Sequence, residues 1–211
     1  MSKIKAIVFD WDGVIVDSMP MIALAIQETA ASYGVQIAIP EIFVKFSQPK
    51  EAFYKSIGVK AESKEELNAR HAAGDDKYLI NTRLFSDVRL IIKKLREKGI
   101  NLGIATQRMD TGKVAIRNEI EAHGLQMFFP FENTLGGEVK KEQKLLLLAK
   151  KFGITPSELL FVGDLPSDIS AAKKAGVKSA AIARHESGKA RLKAMKPDYF
   201  LDSLTNLLAI C

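Results

Sequence analysis

Cysteine is almost missing: the sole one, Cys211, is the last of the 211 residues. No internal disulfide can form, so packing rather than covalent stapling must hold the chain together. That scarcity fits a reducing compartment, and the expected location is cytoplasmic. Long apolar runs are missing too. None approaches the ~20 residues needed to cross a bilayer, and Asp10 and Asp12 interrupt what would otherwise be the apolar stretch of a signal peptide. A membrane partner is therefore not expected. Aromatics are sparse at 8%, and no basic run is interleaved with them as a nucleic-acid stacking platform requires. The net charge of +6 is spread over helical faces (Lys93, Lys94, Arg96, Lys98; Lys150, Lys151; Lys173, Lys174). Such spreading reads as solvated surface with some attraction for small anions, not as a nucleic-acid interface. Repeats and low-complexity tracts are absent as well.

What the chain has is an ordinary globular composition, 47% hydrophobic and 27% charged. Short apolar runs recur at Ile4–Phe9, Ile100–Ala105, Leu159–Val162 and Lys178–Ala183, with weaker ones at Phe128–Phe131 and Tyr199–Leu201. Gly, Pro or polar residues bound each run, and helical patterns follow. That alternation predicts an α/β fold with a mostly parallel sheet. Leu145, Leu148, Ala149 and Phe152 mark one helix at i, i+3, i+4 and i+7, stopped by Gly153. Thr155-Pro156-Ser157-Glu158 and Ser63 with Glu66 are capping boxes. Residues 17–82 break the alternation: Met19–Tyr33, Pro49–Ile57 and Ser63–Ile80 have helical composition and no convincing strand. They predict a helical insertion, leaving residues 1–16 and 83–211 as the α/β core.

The most informative stretch is Asp10-Trp11-Asp12-Gly13, directly after the first apolar run. Ligands of open α/β sheets bind at the C-terminal ends of the strands. Two acids this close resist joint ionisation, so the pair asks for a cation or a shared proton. Three further strand or helix ends carry suspect groups: Thr106-Gln107, Lys140-Lys141, and Asp164 with Asp168 around the start of an alanine-rich helix. Taken singly, each has a plain structural reading as a cap or a solvated side chain. Together they place acids, a hydroxyl and a lysine at one sheet edge. Oxygen donors that leave water in place suit Mg²⁺, and the remaining groups suit an anion, which points to phosphoryl transfer.

On these residues the chain resembles the haloacid dehalogenase-like superfamily, in its phosphatase branch with a helical cap. The matching pieces are DWDGVIVDS (10–18), ATQ (105–107), the Lys140/Lys141 pair and VGDLPSDISAAKKAG (162–176). Asp17-Ser18-Met19-Pro20 is similar to the opening of the cap in phosphoglycolate phosphatase-like enzymes. The resemblance implies a Rossmann-like core with an inserted cap, and Mg²⁺-dependent hydrolysis of a small phosphorylated metabolite. It implies Asp10 as nucleophile, Asp12 as acid and base, and Thr106, Gln107 and Lys141, with Lys140 as the alternative, on the phosphoryl oxygens. Asp10, the Asp12 backbone carbonyl and Asp164 would hold the metal, with Asp168 supporting its water shell. The helical register favours Lys141 over Lys140. The expected assembly is a monomer or weak homodimer. Trp11, Gln107, the missing Lys-Pro at 140–141 and Ser86-Asp87 depart from the family's common pattern. One alternative is phosphonoacetaldehyde hydrolase-like cleavage of a carbon–phosphorus bond, with Lys45, Lys50 or Lys55 as the Schiff-base lysine; Asp12 argues against it. The other is a phosphometabolite-binding protein that does not turn over. Specificity is expected to reside in the cap, at positions the sequence does not reveal.

Overall fold

The computed structural model describes residues 3–46, 50–108 and 115–211. These fall into two compact units, residues 1–17 with 84–211, and residues 18–83. The strands are β1 (Ala6–Phe9), β2 (Val16–Asp17), β3 (Arg83–Leu84), β4 (Asn101–Ala105), β5 (Thr134–Leu135), β6 (Leu159–Gly163), β7 (Lys178–Ile182) and β8 (Tyr199–Leu201). Six of them form one sheet in the order β5-β4-β1-β6-β7-β8, and β2 with β3 makes a separate two-stranded sheet. Every pairing in the six-stranded sheet is parallel. The chain builds outward from β1 on one side through β4 and β5, then returns to its other side at β6. This reversal is the topological switch point, where ligands of open α/β sheets bind outside the strands' carboxyl ends.

The sheet is covered on both faces, and the strand period of two sorts the side chains between them. From β1, Ile7 and Phe9 join Val88, Ile91, Ile92 and Leu95 of α5 (Val88–Glu97) and Ile116 and Ile120 of α6 (Ile116–Ala122). Ala6 and Val8 face the other way. They join Leu145, Leu148 and Ala149 of α7 (Lys141–Lys151) and Ala172 of α8 (Pro166–Lys174). The weak run Phe128–Phe131 is not a strand. Phe129 instead packs edge-on against Phe9 at 6.0 Å, and pairing with β4 begins only at Thr134. The Thr155–Glu158 box closes a single 3₁₀ turn, Pro156–Glu158, directly before β6. A helix start expected near Asp110-Thr111 lies outside the described residues.

The second unit is helical: α1 (Met19–Ala31), α2 (Ile39–Lys45), α3 (Lys50–Ser56) and α4 (Lys64–Tyr78). Ala23, Ile26 and Ala30 of α1 meet Ile42, Phe53, Tyr54 and Leu67 in its own core. Ser63 caps α4 by accepting from the Glu66 amide at 3.1 Å. His71 is buried here, hydrogen-bonded through Nδ1 to the Tyr54 hydroxyl at 2.7 Å, with Asp75 3.4 Å from Nε2. Burial, aided by the Lys50 charge, pushes this imidazole down to about 3. No helix among the described residues is long and apolar enough to cross a membrane.

Candidate active site

The first apolar strand ends at Phe9, and the ladder runs one residue further, with the Asp10 amide donating to the Val162 carbonyl at 2.9 Å. Phe9 pairs with Ile104 on one side and Val162 on the other. By that register Asp10 lies level with the ends of β4 and β6, beside Thr106 and Asp164. Asp10 Oδ1 accepts from the Trp11 amide at 2.8 Å, which orients the carboxylate. Asp10 Oδ2 accepts from Lys141 Nζ at 2.7 Å, and the same ammonium reaches Asp168 Oδ1 at 2.6 Å. Asp10, Lys141 and Asp168 are all buried. The other oxygen of Asp168, Oδ2, accepts from the amides of Asp164 and Leu165 at 3.2 and 3.0 Å, fixing the turn from β6 into α8.

Carboxylate oxygens of Asp10, Asp164 and Asp168 all lie within 4.8 Å of one another. Lys141 supplies one positive charge against these three acids. Burial, together with the neighbouring acids, therefore pushes Asp10 up from 3.8 to about 6, although Lys141 opposes the rise. Asp164 is driven well above the usual carboxylate range by the same two causes. Burial alone would lower Lys141; Asp10 and Asp168 outweigh it and hold the ammonium above its ordinary range. The donor set is all oxygen with an excess of negative charge, which fits a hard divalent cation such as Mg²⁺.

Two glycines make the crowding possible. Gly13 has φ +72°, and a Cβ there would overlap the Asp164 carboxylate. A Cβ on Gly163 would overlap the Asp168 side chain. Backbone without side chains at these two points is what lets the two aspartate-bearing segments, the one after β1 and the one after β6, converge.

Of the two adjacent lysines, Lys140 is the exposed residue preceding α7, and Lys141, its first residue, is the one whose ammonium donates to Asp10. Thr106 is buried at the end of β4; its amide donates to Leu135 O at 3.0 Å, and its hydroxyl accepts from the Arg108 amide at 3.2 Å. Gln107 is exposed. The Asp12 side chain stands apart from the three-acid cluster and takes a two-point ion pair from Arg108, through Nε at 3.1 Å and through Nη2. In the helical unit, Lys45 is paired to Glu41 at 2.5 Å and Lys55 is exposed, while Lys50 opens α3. Arg70 pairs with Glu66 at 2.9 Å and lies over the Tyr33 ring.

The sequence reading overlooked Arg108, Glu119 and Lys144. Lys144 is buried one turn after Lys141, donates to the carbonyls of Thr106 and Gly137 at 2.5 and 2.7 Å, and so ties the Thr106 loop to α7. Burial, reinforced by the Lys141 charge, pushes it down to about 8. Its i+3 spacing from Lys141 was the available signal.

Comparisons with known proteins agree with this architecture. Residues 7–182 match the family described as haloacid dehalogenase-like hydrolase. A phosphoglycolate phosphatase of Vibrio vulnificus is 28% identical over 225 residues, covering 99% of this chain and 96% of the relative. Pyrophosphatase PpaX of Bacillus velezensis is also 28% identical, over 214 residues, covering 99% and 96%. Among solved structures, a predicted phosphoglycolate phosphatase from Haemophilus somnus superposes with a TM-score of 0.79 at 24% identity, covering 100% and 99% of the two chains. A haloacid dehalogenase-like family hydrolase from Streptococcus pneumoniae gives 0.79 at 22%, covering 98% and 97%. The chain belongs to the haloacid dehalogenase-like hydrolase family.

Proposed function

We propose that this chain is a Mg²⁺-dependent phosphomonoester hydrolase that acts on a small phosphorylated metabolite through an aspartyl-phosphate on Asp10. One observation carries the reading: Asp10, Asp164 and Asp168 crowd together at the switch point around the ammonium of Lys141. A carboxylate beside a lysine and a cation-demanding acid cluster is the equipment of nucleophilic phosphoryl transfer.

In this mechanism Asp10 attacks phosphorus, and the bond to the leaving oxygen breaks as Asp12 gives that oxygen its proton. Asp12 then takes a proton from water, which attacks the aspartyl-phosphate and frees inorganic phosphate. Lys141 and the Thr106 hydroxyl bind the phosphoryl oxygens. Asp168 acts at one remove by holding Lys141 and the Asp164 turn. Asp10, Asp164 and the Asp12 backbone carbonyl would hold Mg²⁺, which when bound would supply positive charge to offset the carboxylates and the phosphoryl group. The helical unit serves as the cap that excludes water and selects the substrate. Supporting this, it is inserted into the chain a few residues after Asp12 and returns to the core before α5.

The names of the relatives suggest two substrates to place first, phosphoglycolate and pyrophosphate. The test is a phosphometabolite panel containing both, with p-nitrophenyl phosphate, ranked by kcat/KM in Mg²⁺ and in excess EDTA. Turnover of a compact monoester that EDTA abolishes is the expected result. Undiminished turnover in EDTA refutes the metal; binding without turnover on any substrate favours a non-catalytic sensor. A borohydride-trapped Schiff base on Lys45, Lys50 or Lys55 with an aldehyde phosphonate would establish carbon–phosphorus cleavage instead.

A further inference from the structure

The only tryptophan of the chain stands between the two motif aspartates, and it begins a polar chain separate from the Asp10–Lys141–Asp168 cluster. Trp11 Nε1 donates to Glu119 Oε2 at 2.5 Å. The same oxygen accepts from Arg108 Nη1 at 2.7 Å. Arg108 then turns its remaining edge to Asp12, Nε to Oδ2 and Nη2 to Oδ1. Trp11 is fully buried, and the side chains of Arg108 and Glu119 are 6% and 9% exposed, whereas that of Asp12 is 29% exposed. The chain thus runs from the core outward and ends on the one member that reaches solvent.

Its geometry has a direction. Glu119 sits on α6, whose Ile116 and Ile120 are locked in the core, so its carboxylate is a fixed point. The indole N–H and the guanidinium share one oxygen of that carboxylate, which fixes the arginine plane. A planar fork that meets both oxygens of a carboxylate sets its plane as well as its position; an ammonium would set only a distance. A short aspartate in a loop has few other means of holding one orientation. Proton transfer needs the acid within hydrogen-bond reach of the reacting oxygen, so orientation translates into rate.

We propose that Arg108 is a positioning residue for Asp12: its fork, anchored by Glu119 and Trp11, holds the Asp12 carboxylate in the orientation from which it exchanges a proton with the leaving-group oxygen. This rests on the reading of Asp12 as acid and base given above. Arg108 touches no reacting atom in this account, and its loss should be felt where the leaving group needs a proton most.

The experiment compares an alkyl phosphomonoester, glycerol phosphate, with the aryl ester p-nitrophenyl phosphate, whose leaving group needs little protonation. The variants are Arg108→Lys, which keeps the charge and loses the fork, Arg108→Ala with and without added guanidinium, Glu119→Gln, and Asp12→Asn as reference. Arg108→Lys should lower kcat on the alkyl ester by about 10- to 100-fold, a part of the ~10²–10⁴ that general acid–base catalysis supplies. The loss on the aryl ester should be several times smaller, with KM changed little on either. Guanidinium should restore part of the alkyl-ester rate to Arg108→Ala. Because the chain has a single tryptophan, its fluorescence reads the anchor without turnover. The emission of the metal-free protein should shift in Glu119→Gln and in Arg108→Ala. Equal losses on both esters, a rise in KM with kcat unchanged, or full activity of Arg108→Lys each overturns the proposal. If Asp12→Asn itself fails to discriminate the two esters, the fault lies in the role given to Asp12 and not in Arg108.

Discussion

Replacing the nucleophile should make the metal-free protein more stable. Asp10 is buried among Asp164, Asp168 and Lys141, and its carboxyl is raised from an ordinary 3.8 to about 6. A carboxyl raised on folding favours the folded state below 3.8 and loses that advantage as pH climbs through 6. Above pH 6 the ionised group therefore opposes folding by about 3 kcal/mol, and by about half of that at pH 5. Asn has the shape of the protonated acid and no charge. In EDTA at pH 7.5, Asp10→Asn should resist urea better than the native chain by up to ~3 kcal/mol, with no turnover. The gap should shrink as pH falls toward 5. Saturating Mg²⁺ should close it from the other side, since a ligand at 100 times its Kd adds about 2.7 kcal/mol to the protein that binds it. Urea curves followed by circular dichroism, at two pH values with and without Mg²⁺, check all three statements. An Asp10→Asn protein no more stable than the native chain in EDTA at pH 7.5 would refute the electrostatic account of the site.

The two other cluster acids should separate. Asp168→Asn turns an amide NH₂ toward donors that Asp168 accepts from, either Lys141 Nζ or the Asp164 and Leu165 amides, and should cost about 1–3 kcal/mol in urea unfolding, whereas Asp164→Asn should leave metal-free stability equal or higher and raise the Mg²⁺ concentration for half-maximal rate about tenfold. Gly13→Ala forces a side chain into left-handed backbone, at about 1–2 kcal/mol, and displaces Asp164; weaker Mg²⁺ dependence beside the lower urea midpoint would identify the second effect. In the helical unit, His71 is held neutral with its pKa depressed to about 3. The unfolded chain therefore takes up a proton near pH 6.5 that the folded chain refuses, and stability falls as pH drops below 6.5. Between pH 7.5 and 5 the native chain should lose about 2 kcal/mol more than His71→Asn, and parallel pH profiles would show that Asp75 compensates the proton.

Much of the core was legible because its signals are local. β1, β4, β6, β7 and β8 are short apolar runs with sharp ends, and the stripe of α7 orders Leu145, Leu148 and Ala149 toward the sheet. The same stripe separates Lys141 from Lys140, since a one-residue change rotates a side chain by about 100° around a helix. β5 was misplaced because Phe128 and Phe129 look like strand but serve as packing, while the true strand has two residues and owes its existence to β4. Helix α2 was missed because Ile39-Pro40 reads as a break; the proline lies in the first turn, where it has no hydrogen bond to lose. The Arg108–Glu119–Trp11 chain left no pattern to find. Its members are joined only by the fold, and a buried acid on a seven-residue helix looks in sequence like any surface glutamate.

The central position of β1 constrains the order in which the molecule can be made. Ala6 pairs with Asn101 on one side and with Leu159 on the other. The strand that carries Asp10 is synthesised before either partner, and its two edges are filled only when residues 101–105 and then 159–163 have followed it. Residues 18–83, by contrast, are contiguous and bury their own core, so that unit can form while the rest is still being translated. Closing β1 between two partners so distant in sequence is an entropically costly, late event. The acid cluster needs β6 and the turn after it, so it comes into being only once residues 159–168 have joined the sheet. During translation the chain thus gains the helical unit before it gains the reactive centre.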